Sequence, residues 1–360
     1  MKKNAFVILI LVFSLVLVFG TFAGGQKEVS GTFEYEKTVD YETPIALEVT
    51  AQSGMDTIGY TQGTQPVIAY MPPALEFNYY MAIGKGIEGL CEEYGAEYFM
   101  LAPQSGSDIN GQMGMIQDVI TRGVDVIILS THDEQAAAPL VKQAVDNGIM
   151  VVIVNSDILA FPTPVHGVVG YNQRNGTYKL GEYVIDMYGN SNIKVGLIEG
   201  LPGYHSTERI GGFVDAIEGR TDFEIVASLS GGWNVEGGNI AAMDIIQGHP
   251  EVTLIMAAND YEIMGAQKAV EGLGKTGIIL LGNDGDTACL EEIAKGTVHA
   301  TVNTTPFIMG QIVMQVVIDG LYGKFDGGFV ETPTVIVDKD NVLPYLQEPD
   351  RLYPKPSKVY

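Results

Sequence analysis

The sequence predicts an α/β protein made of two doubly wound parallel-sheet domains. Short apolar runs alternate with helical stripes along most of the 360-residue chain, which is the pattern of α/β architecture. The runs are continuously apolar, as expected of strands buried on both faces of a parallel sheet. About eleven such strands are too many for one compact sheet, so we expect two domains.

The first half of this pattern contains three strands at 67–71, 126–129 and 151–154. A helix is predicted after the first strand, because Tyr80, Ile83 and Ile87 recur there with the spacing of a 3.6-residue period. A second helix is predicted before the third strand, around 140–145. The alternation of strand, helix and strand is typical of a parallel sheet.

The pattern restarts after residue 190 with a second set of strands, at 195–198, 224–227, 254–257, 278–281 and 301–302. Helical stripes separate them, and a last stripe follows over 312–317. This second set predicts a second parallel sheet.

The two ends of the chain show neither period. Lys2 and Lys3 precede an apolar run over 5–19 and the small residues before a cut after Ala23, which indicates a secretory signal peptide over 1–23. An uncleaved membrane anchor is the alternative. No Cys lies near this cut, so we expect no lipid anchor. Residues 24–65 are interpreted as a leader and 343–360 as an extended tail.

Composition excludes several classes of protein. The formal net charge of −24 argues against nucleic-acid binding and against docking on anionic membranes. The two cysteines, Cys91 and Cys289, are far apart in the sequence and do not have the spacing of metal ligands. We expect each to be a small side chain of the core, with a disulfide between them as the alternative. The five His residues are scattered, and neither a cofactor nor a metal is expected.

The carboxyl ends of parallel strands are where open sheets bind ligands. Amides, carboxylates and aromatic residues follow the predicted strands there, among them Tyr80, Asn155, Asn259 and Asp284. Such groups suit a sugar, whose hydroxyls both donate and accept and whose C–H face lies against aromatic rings. No Gly-rich phosphate loop is present. We expect Asp260 to be mainly a helix cap, with Asn259 and Asp284 directed into the cleft.

Five motifs between residues 67 and 337 occur in the order found in periplasmic binding proteins of the ribose-binding type. They are Ile68-Ala69 with Tyr79-Tyr80, Ile116-Gln117-Asp118 with 123–128, the segment 207–213, Ala258-Asn259-Asp260 with Gly265-Ala266, and 282–285. The chain therefore resembles type I periplasmic binding proteins, the substrate-binding components of ABC transporters. The resemblance implies two domains joined by three crossing strands, near Gly170, Thr304 and Thr332.

The resemblance also implies ligand-binding residues, each taken from a matching position. They are Phe77, Tyr79, Tyr80, Asn155, Ser156, Arg209, Trp233, Asn259, Asp284 and Thr304. Asn155-Ser156 stands where the family has Asp-Arg, and Phe77 where it has Asn. These departures favour a monosaccharide or polyol other than ribose.

The implied function is binding of a small carbohydrate in the interdomain cleft and its delivery to an ABC transporter permease, by a periplasmic monomer without enzymatic activity. The implied domains are 66–169 with 305–332, and 170–304 with 333–342.

Alternative functions remain for this sequence: a receptor for a nucleoside or a quorum-signal molecule on the same scaffold, or a sugar-sensing partner of a chemoreceptor. A transcription regulator would need a helix-turn-helix before residue 67, which is not found. An enzyme acting on sugars would need a constellation of catalytic groups that the sequence does not show.

Overall fold

A computed structural model describes residues 63–158, 160–189, 191–346, 356–357 and 359. The expected signal peptide and almost all of the expected leader lie outside the described residues. Among the described residues no helix is both long enough and apolar enough to cross a bilayer.

The first stretch of chain alternates strands and helices without interruption. Its elements are β1 (Val67–Met71), α1 (Asn78–Tyr94), β2 (Glu97–Met100), α2 (Ile109–Arg122), β3 (Val126–Leu129), α3 (Glu134–Asp146), β4 (Met150–Val154) and β5 (Gly167–Gly170). Asp108 and Asp133 begin α2 and α3 by accepting hydrogen bonds from backbone N–H groups of the first turn. Gly95 and Gly123 end α1 and α2 in the left-handed conformation.

The second stretch repeats this alternation. Its elements are α4 (Gln173–Tyr188), β6 (Ile193–Glu199), α5 (Tyr204–Ile217), β7 (Phe223–Ser230), α6 (Val235–Gly248), β8 (Leu254–Ala257), α7 (Asp260–Gly272), β9 (Ile279–Asp284), α8 (Thr287–Lys295) and β10 (Ala300–Asn303). The chain ends with α9 (Pro306–Leu321), β11 (Phe329–Glu331), β12 (Val335–Asp338) and the single turn α10 (Leu343–Leu346).

These strands form two six-stranded sheets, in the orders β11-β5-β4-β3-β1-β2 and β12-β10-β9-β8-β6-β7. All neighbours in the first sheet are parallel. In the second, only β12 is antiparallel to its neighbour, β10. The predicted fold class is therefore confirmed, and we refer to the two sheets with their helices as the first and second lobes.

The chain passes between the sheets three times, at 171–172, 304–305 and 332–334. These connections lie beside Gly170, Thr304 and Thr332, where the crossings were expected. The exact domain limits, 66–169 with 305–332 and 170–304 with 333–342, remain a prediction about which residues move together.

The expected extended tail is partly wrong, because residues 343–346 form the helical turn α10. Tyr345 and Leu346 pack against the apolar core beside the second sheet. Further on, Ser357 donates its backbone N–H to the carboxylate of Glu88 in α1. The described parts of the tail thus contact both lobes.

The core consists of apolar layers on the faces of both sheets. Cys91 and Cys289 are buried in it and are not joined in a disulfide. Burial raises the pKa of the Cys91 thiol well above its ordinary value, so this side chain behaves as a small apolar group.

Candidate functional site

A cavity of about 450 Å³ lies where the carboxyl ends of the strands of the two lobes face each other. It is lined by Phe77, Tyr79, Tyr80, His132, Asn155, His205, Arg209, Trp233, Asn259, Tyr261 and Asp284. Eight of these eleven residues are among the ten that the sequence nominated.

The other two nominated residues, Ser156 and Thr304, lie outside the lining. The Ser156 hydroxyl accepts a hydrogen bond from the Ile158 N–H and so shapes the turn after β4. The Thr304 hydroxyl lies 2.7 Å from the Tyr79 hydroxyl and 3.2 Å from the Asp284 carbonyl oxygen. Both residues hold the wall in place from behind instead of facing the cavity.

The ion pair of Arg209 and Asp284 forms the polar centre of the site. Arg209 Nη1 lies 3.0 Å from Asp284 Oδ1, and both side chains are buried. Arg209 Nη1 also donates to the Ala258 carbonyl, and its Nε donates to Gln173 Oε1. A buried ion pair needs such additional hydrogen bonds to offset the loss of hydration. The pair is consequently fixed in one geometry.

Asp284 is one of several carboxylates at this edge of the second sheet. Burial raises its pKa above the ordinary value, and the positive charge of Arg209 opposes that rise. Because the guanidinium and the carboxylate neutralise each other, the polar centre presents both donors and acceptors with no net charge.

Trp233 is held by three groups of the second lobe. Its backbone N–H donates to Glu262 Oε1 at 2.8 Å, and its carbonyl accepts from Asn259 Nδ2 at 3.1 Å. A Cβ atom added at Gly200 would lie 2.1 Å from Trp233 Cζ2, so the indole rests directly on the backbone after β6. The Arg209 guanidinium lies 5.3 Å from the centre of the indole ring, a cation–π distance.

The expectation for Asp260 as a helix cap is wrong. The cap of α7 is Asn259, whose Oδ1 accepts from the Glu262 N–H. Asp260 is completely buried and accepts from the Gly285 and Asp286 N–H groups and from the Thr301 hydroxyl. It therefore fixes the loop that carries Asp284. Asn259 lines the cavity as expected, but both ends of its amide are engaged within the protein.

Aromatic side chains form the remainder of the wall and meet across the cleft. The Phe77 ring of the first lobe lies 5.0 Å from the Tyr261 ring of the second, edge to face. The His132 ring lies 6.3 Å from the Trp233 ring, nearly parallel to it. His132 Nδ1 lies 3.2 Å from the Gly106 carbonyl oxygen, so Nδ1 carries the proton and Nε2 is an acceptor. Burial lowers the pKa of His132 to about 4, which keeps the imidazole neutral.

Two polar contacts at the start of α5 also join the lobes. Tyr204 donates from its hydroxyl to the Asp157 carbonyl oxygen at 3.0 Å. His205 Nε2 lies 3.3 Å from Glu134 Oε1 in α3, and its Nδ1 lies 3.0 Å from Gln173 Oε1. We call these two contacts the cleft latch. They join the two lobes across the cleft.

Backbone strain is concentrated at the cavity. Five non-glycine residues of the described chain have positive φ, and three of them line this site: Asn155 at 60°, Trp233 at 67° and Asp284 at 139°. Such conformations cost free energy and cluster at functional sites. Their concentration here supports the assignment of the cavity as the functional site.

Three lining residues were not foreseen in the sequence: His132, His205 and Tyr261. His132 follows β3 directly, so the rule that ligands bind at the carboxyl ends of strands could have found it. His205 and Tyr261 each lie within the first two residues of a helix. No sequence signal distinguishes them from ordinary helix-start residues.

Two parallel-sheet lobes with three connections and a closed polar and aromatic cavity between them define a two-lobed receptor for a small solute. The family model described as a periplasmic binding protein domain matches residues 68–324, and the chain belongs to this family. The group binds solutes for ABC transporters and is not enzymatic.

Among its relatives, the D-ribose/D-allose-binding protein of Pseudomonas aeruginosa is 28% identical over 285 residues, covering 76% of this chain and 89% of the relative. The ribose import binding protein of Bacillus subtilis is 28% identical and covers 68% of this chain and 78% of the relative.

Solved structures show the same architecture. An ABC transporter periplasmic solute binding protein from Actinobacillus succinogenes, with bound D-allose, superimposes with a TM-score of 0.72 at 25% identity, covering 78% of this chain and all of that one. A solute binding protein from Bacillus halodurans, with bound myo-inositol, gives 0.70 at 22% identity, covering 79% and 98%. The latter likeness supports the fold alone.

Proposed function

We propose that this protein binds a small, neutral carbohydrate in the cavity between its lobes and delivers it to the permease of an ABC transporter. The observation that carries the proposal is the buried Arg209–Asp284 pair beside the ring of Trp233. Carboxylate and guanidinium groups hold hydroxyls at fixed angles, and an aromatic face packs on sugar C–H groups. The relatives named for ribose, allose and apiose support the same class of ligand.

The residues have distinct roles in this proposal. Arg209, Asp284 and Asn155 bind the ligand hydroxyls, and Trp233 stacks on the sugar. Tyr79, Tyr80, Phe77 and Asn259 complete the wall, and Ser156 and Thr304 position their neighbours. Each hydroxyl that pairs in the closed cleft stabilises that state, so ligand and closure support each other.

The proposed site of action is the periplasm, reached through the signal peptide over 1–23 and with no lipid anchor. The protein acts as a monomer that presents the closed form to the permease. A chemoreceptor can recognise the same closed form, since closure is the signal in both cases.

A thermal-shift screen of residues 24–360 against monosaccharides, polyols and nucleosides tests the proposal. A ligand that binds only the native state must raise the melting temperature. We expect a rise with a carbohydrate that is lost in Trp233→Ala and Asp284→Asn. Asp215→Asn is the control, because Asp215 pairs with Arg174 on an exposed surface. No rise with any carbohydrate, or a rise that survives both cavity variants, contradicts the proposal.

A nucleoside receptor is the second candidate. It is favoured by the aromatic rings that reach the cavity from both lobes, including the Phe77–Tyr261 pair, since a nucleobase stacks on such rings. In the same screen, a rise with nucleosides and none with free sugars selects this candidate.

A further inference from the structure

The cavity has two ends that differ in hydrogen-bonding capacity. The polar end is formed by Asn155, Arg209 and Asp284. The Tyr79 hydroxyl donates to Asn155 Oδ1 and lies beside the Thr304 hydroxyl, which in turn contacts the Asp284 carbonyl oxygen. Within the described residues, Arg209 Nη2 donates no hydrogen bond, so a guanidinium donor remains for a ligand. A ligand with several hydroxyls is satisfied here.

The second end of the wall, formed by Phe77, Tyr80, His132 and Tyr261, is aromatic. Phe77 offers only carbon, and its ring lies 5.0 Å from Tyr261 and 5.9 Å from Tyr80. The hydroxyl protons of these two tyrosines already have acceptors: Tyr261 donates to Asp286 Oδ2 at 3.3 Å, and Tyr80 lies 3.4 Å from His132 Nε2, with the Ser130 and Asn155 side chains also within its hydrogen-bonding reach. The remaining nitrogen of His132 is occupied by the Gly106 carbonyl.

Among the described residues, none of the four side chains that form the aromatic end is charged. The imidazole of His132 is neutral, and the Asp286 carboxylate behind Tyr261 is buried and also caps α8 through the Ala288 N–H. A ligand hydroxyl placed against the Phe77 ring loses its hydration and gains no hydrogen bond from that ring. A methyl group in the same place is buried favourably.

Resting on the proposed function, we propose that the ligand is a terminally deoxygenated monosaccharide, a 6-deoxyhexose or 5-deoxypentose. Its ring hydroxyls bind Asn155, Arg209 and Asp284, and its methyl carbon lies against Phe77, Tyr80 and Tyr261. A net-neutral polar end and an apolar far end disfavour sugar acids, sugar phosphates and amino sugars in the same way.

Calorimetric titration of residues 24–360 with matched sugars tests this inference. The pairs are L-fucose and L-galactose, D-fucose and D-galactose, L-rhamnose and L-mannose, and 5-deoxy-D-ribose and D-ribose. In the pair that binds, we expect the deoxy sugar to bind about 10- to 100-fold more tightly, the discrimination that an apolar pocket gives against one added hydroxyl.

Variants at one position test the assignment of the aromatic end. Phe77→Asn adds an amide there and is expected to reduce the preference for the deoxy sugar at least tenfold. The matched variant Phe77→Leu keeps the end apolar, so both sugars bind more weakly while their ratio is kept. A ratio that changes equally in both variants contradicts the assignment.

The outcomes separate this inference from the proposed function. Equal or tighter binding of the fully hydroxylated sugar in every pair that binds overturns the inference and leaves the carbohydrate receptor standing. Binding of no carbohydrate at all overturns both.

Discussion

Trp233 illustrates how single residues build the site. It is the only tryptophan in the chain, it lies at a positive φ, and its indole rests on Gly200 with no room for a side chain between them. The position of the ring is thus decided by a residue that does not line the cavity. Intrinsic fluorescence reports directly on this ring, because no other tryptophan contributes.

We predict that Gly200→Ala weakens ligand binding about tenfold. The added Cβ would lie within 2.1–2.4 Å of three ring atoms of Trp233, so the indole must move into the cavity. The measurement is fluorescence titration with the ligand that the screen identifies. Gly248→Ala is the control, because nothing lies within 4 Å of its added Cβ. Equal affinity in Gly200→Ala and the wild type would show that the ring position is not decisive.

Glu262 is a buried acid behind Trp233. Its Oε1 accepts from the Trp233 N–H, and its Oε2 has no hydrogen-bond partner among the described residues. Burial raises its pKa to about 8, although hydrogen bonds and Arg209 lower it. With a folded-state pKa above the unfolded value, the folded protein must hold a proton there or bear a buried charge. The contribution of protonated Glu262 to the free energy of unfolding is fully present below about pH 4.5 and is lost as the pH rises towards 8.

We therefore predict that Glu262→Gln stabilises the protein at pH 8 by about 2–4 kcal/mol and changes little at pH 4.5. The amide keeps the acceptor for Trp233 without an ionisable group. Thermal unfolding of both proteins from pH 4.5 to 8.5 measures the difference. The exposed Glu236→Gln should show no such pH dependence. A Glu262→Gln difference that is constant over this range would contradict a raised pKa.

The site could be predicted from the sequence to the extent that its residues follow strands. Asn155, Asn259 and Asp284 end or follow predicted strands and line the cavity. Ser156 and Thr304 also follow strands, but the turn rotates their side chains to the rear of the wall. The direction of a side chain within a turn depends on backbone angles such as the positive φ of Asn155, and no pattern of residue types encodes it.

At the scale of elements, the helix pair α1–α9 is the clearest case of packing that depends on glycine. A Cβ at Gly86 would lie 2.3 Å from the Phe307 carbonyl oxygen, and a Cβ at Gly310 would lie 2.1 Å from that of Ile83. The two backbones therefore touch, and α9, which follows a crossing connection, is fixed to the first lobe.

We predict that Gly310→Ala lowers the free energy of unfolding by about 1–3 kcal/mol, the usual cost of overpacking. Because the obstacle is a backbone carbonyl and not a flexible side chain, the helices must separate. Gly89→Ala on the exposed side of α1 is the control, and we expect it to stabilise by about 0.5–1 kcal/mol. Denaturant unfolding measures both, and a Gly310→Ala protein as stable as the wild type would refute close packing here.

The elements that the sequence predicted are those with continuous apolar runs. The central strands β3, β4 and β8 are entirely buried and were found within one residue of their observed limits. The edge strands β2 and β12 were not: the buried run of β2 is only three residues long, and β12 has a single fully buried position. Two short strands were also not predicted, β5, which has a glycine at each end, and β11, which has three residues. Their apolar runs are too short to predict a strand from sequence alone.

For the whole molecule, the balance between open and closed lobes decides function. The cleft latch joins α5 of the second lobe to the first through Tyr204–Asp157 and His205–Glu134. Burial raises the pKa of Glu134, but the hydrogen bond and charge of His205 bring it below the ordinary 4.5. The carboxylate charge that this contact needs is present above about pH 4.5 and is lost as the pH falls through the folded-state pKa of Glu134.

We predict that Glu134→Gln shifts the protein towards the open form and lowers ligand affinity about tenfold, or about 1.4 kcal/mol. The loss arises because His205 no longer meets a carboxylate when the lobes close, whereas the open form is unaffected. Small-angle scattering of the ligand-free protein should show a larger radius of gyration. Glu251→Gln is the matched control, since His249–Glu251 is a His–Glu pair within the second lobe. If both variants scatter like the wild type and keep its affinity, the His205–Glu134 contact does not hold the lobes together, and closure depends on the ligand and on other contacts between the lobes, among them Tyr204–Asp157 and the aromatic pair Phe77–Tyr261.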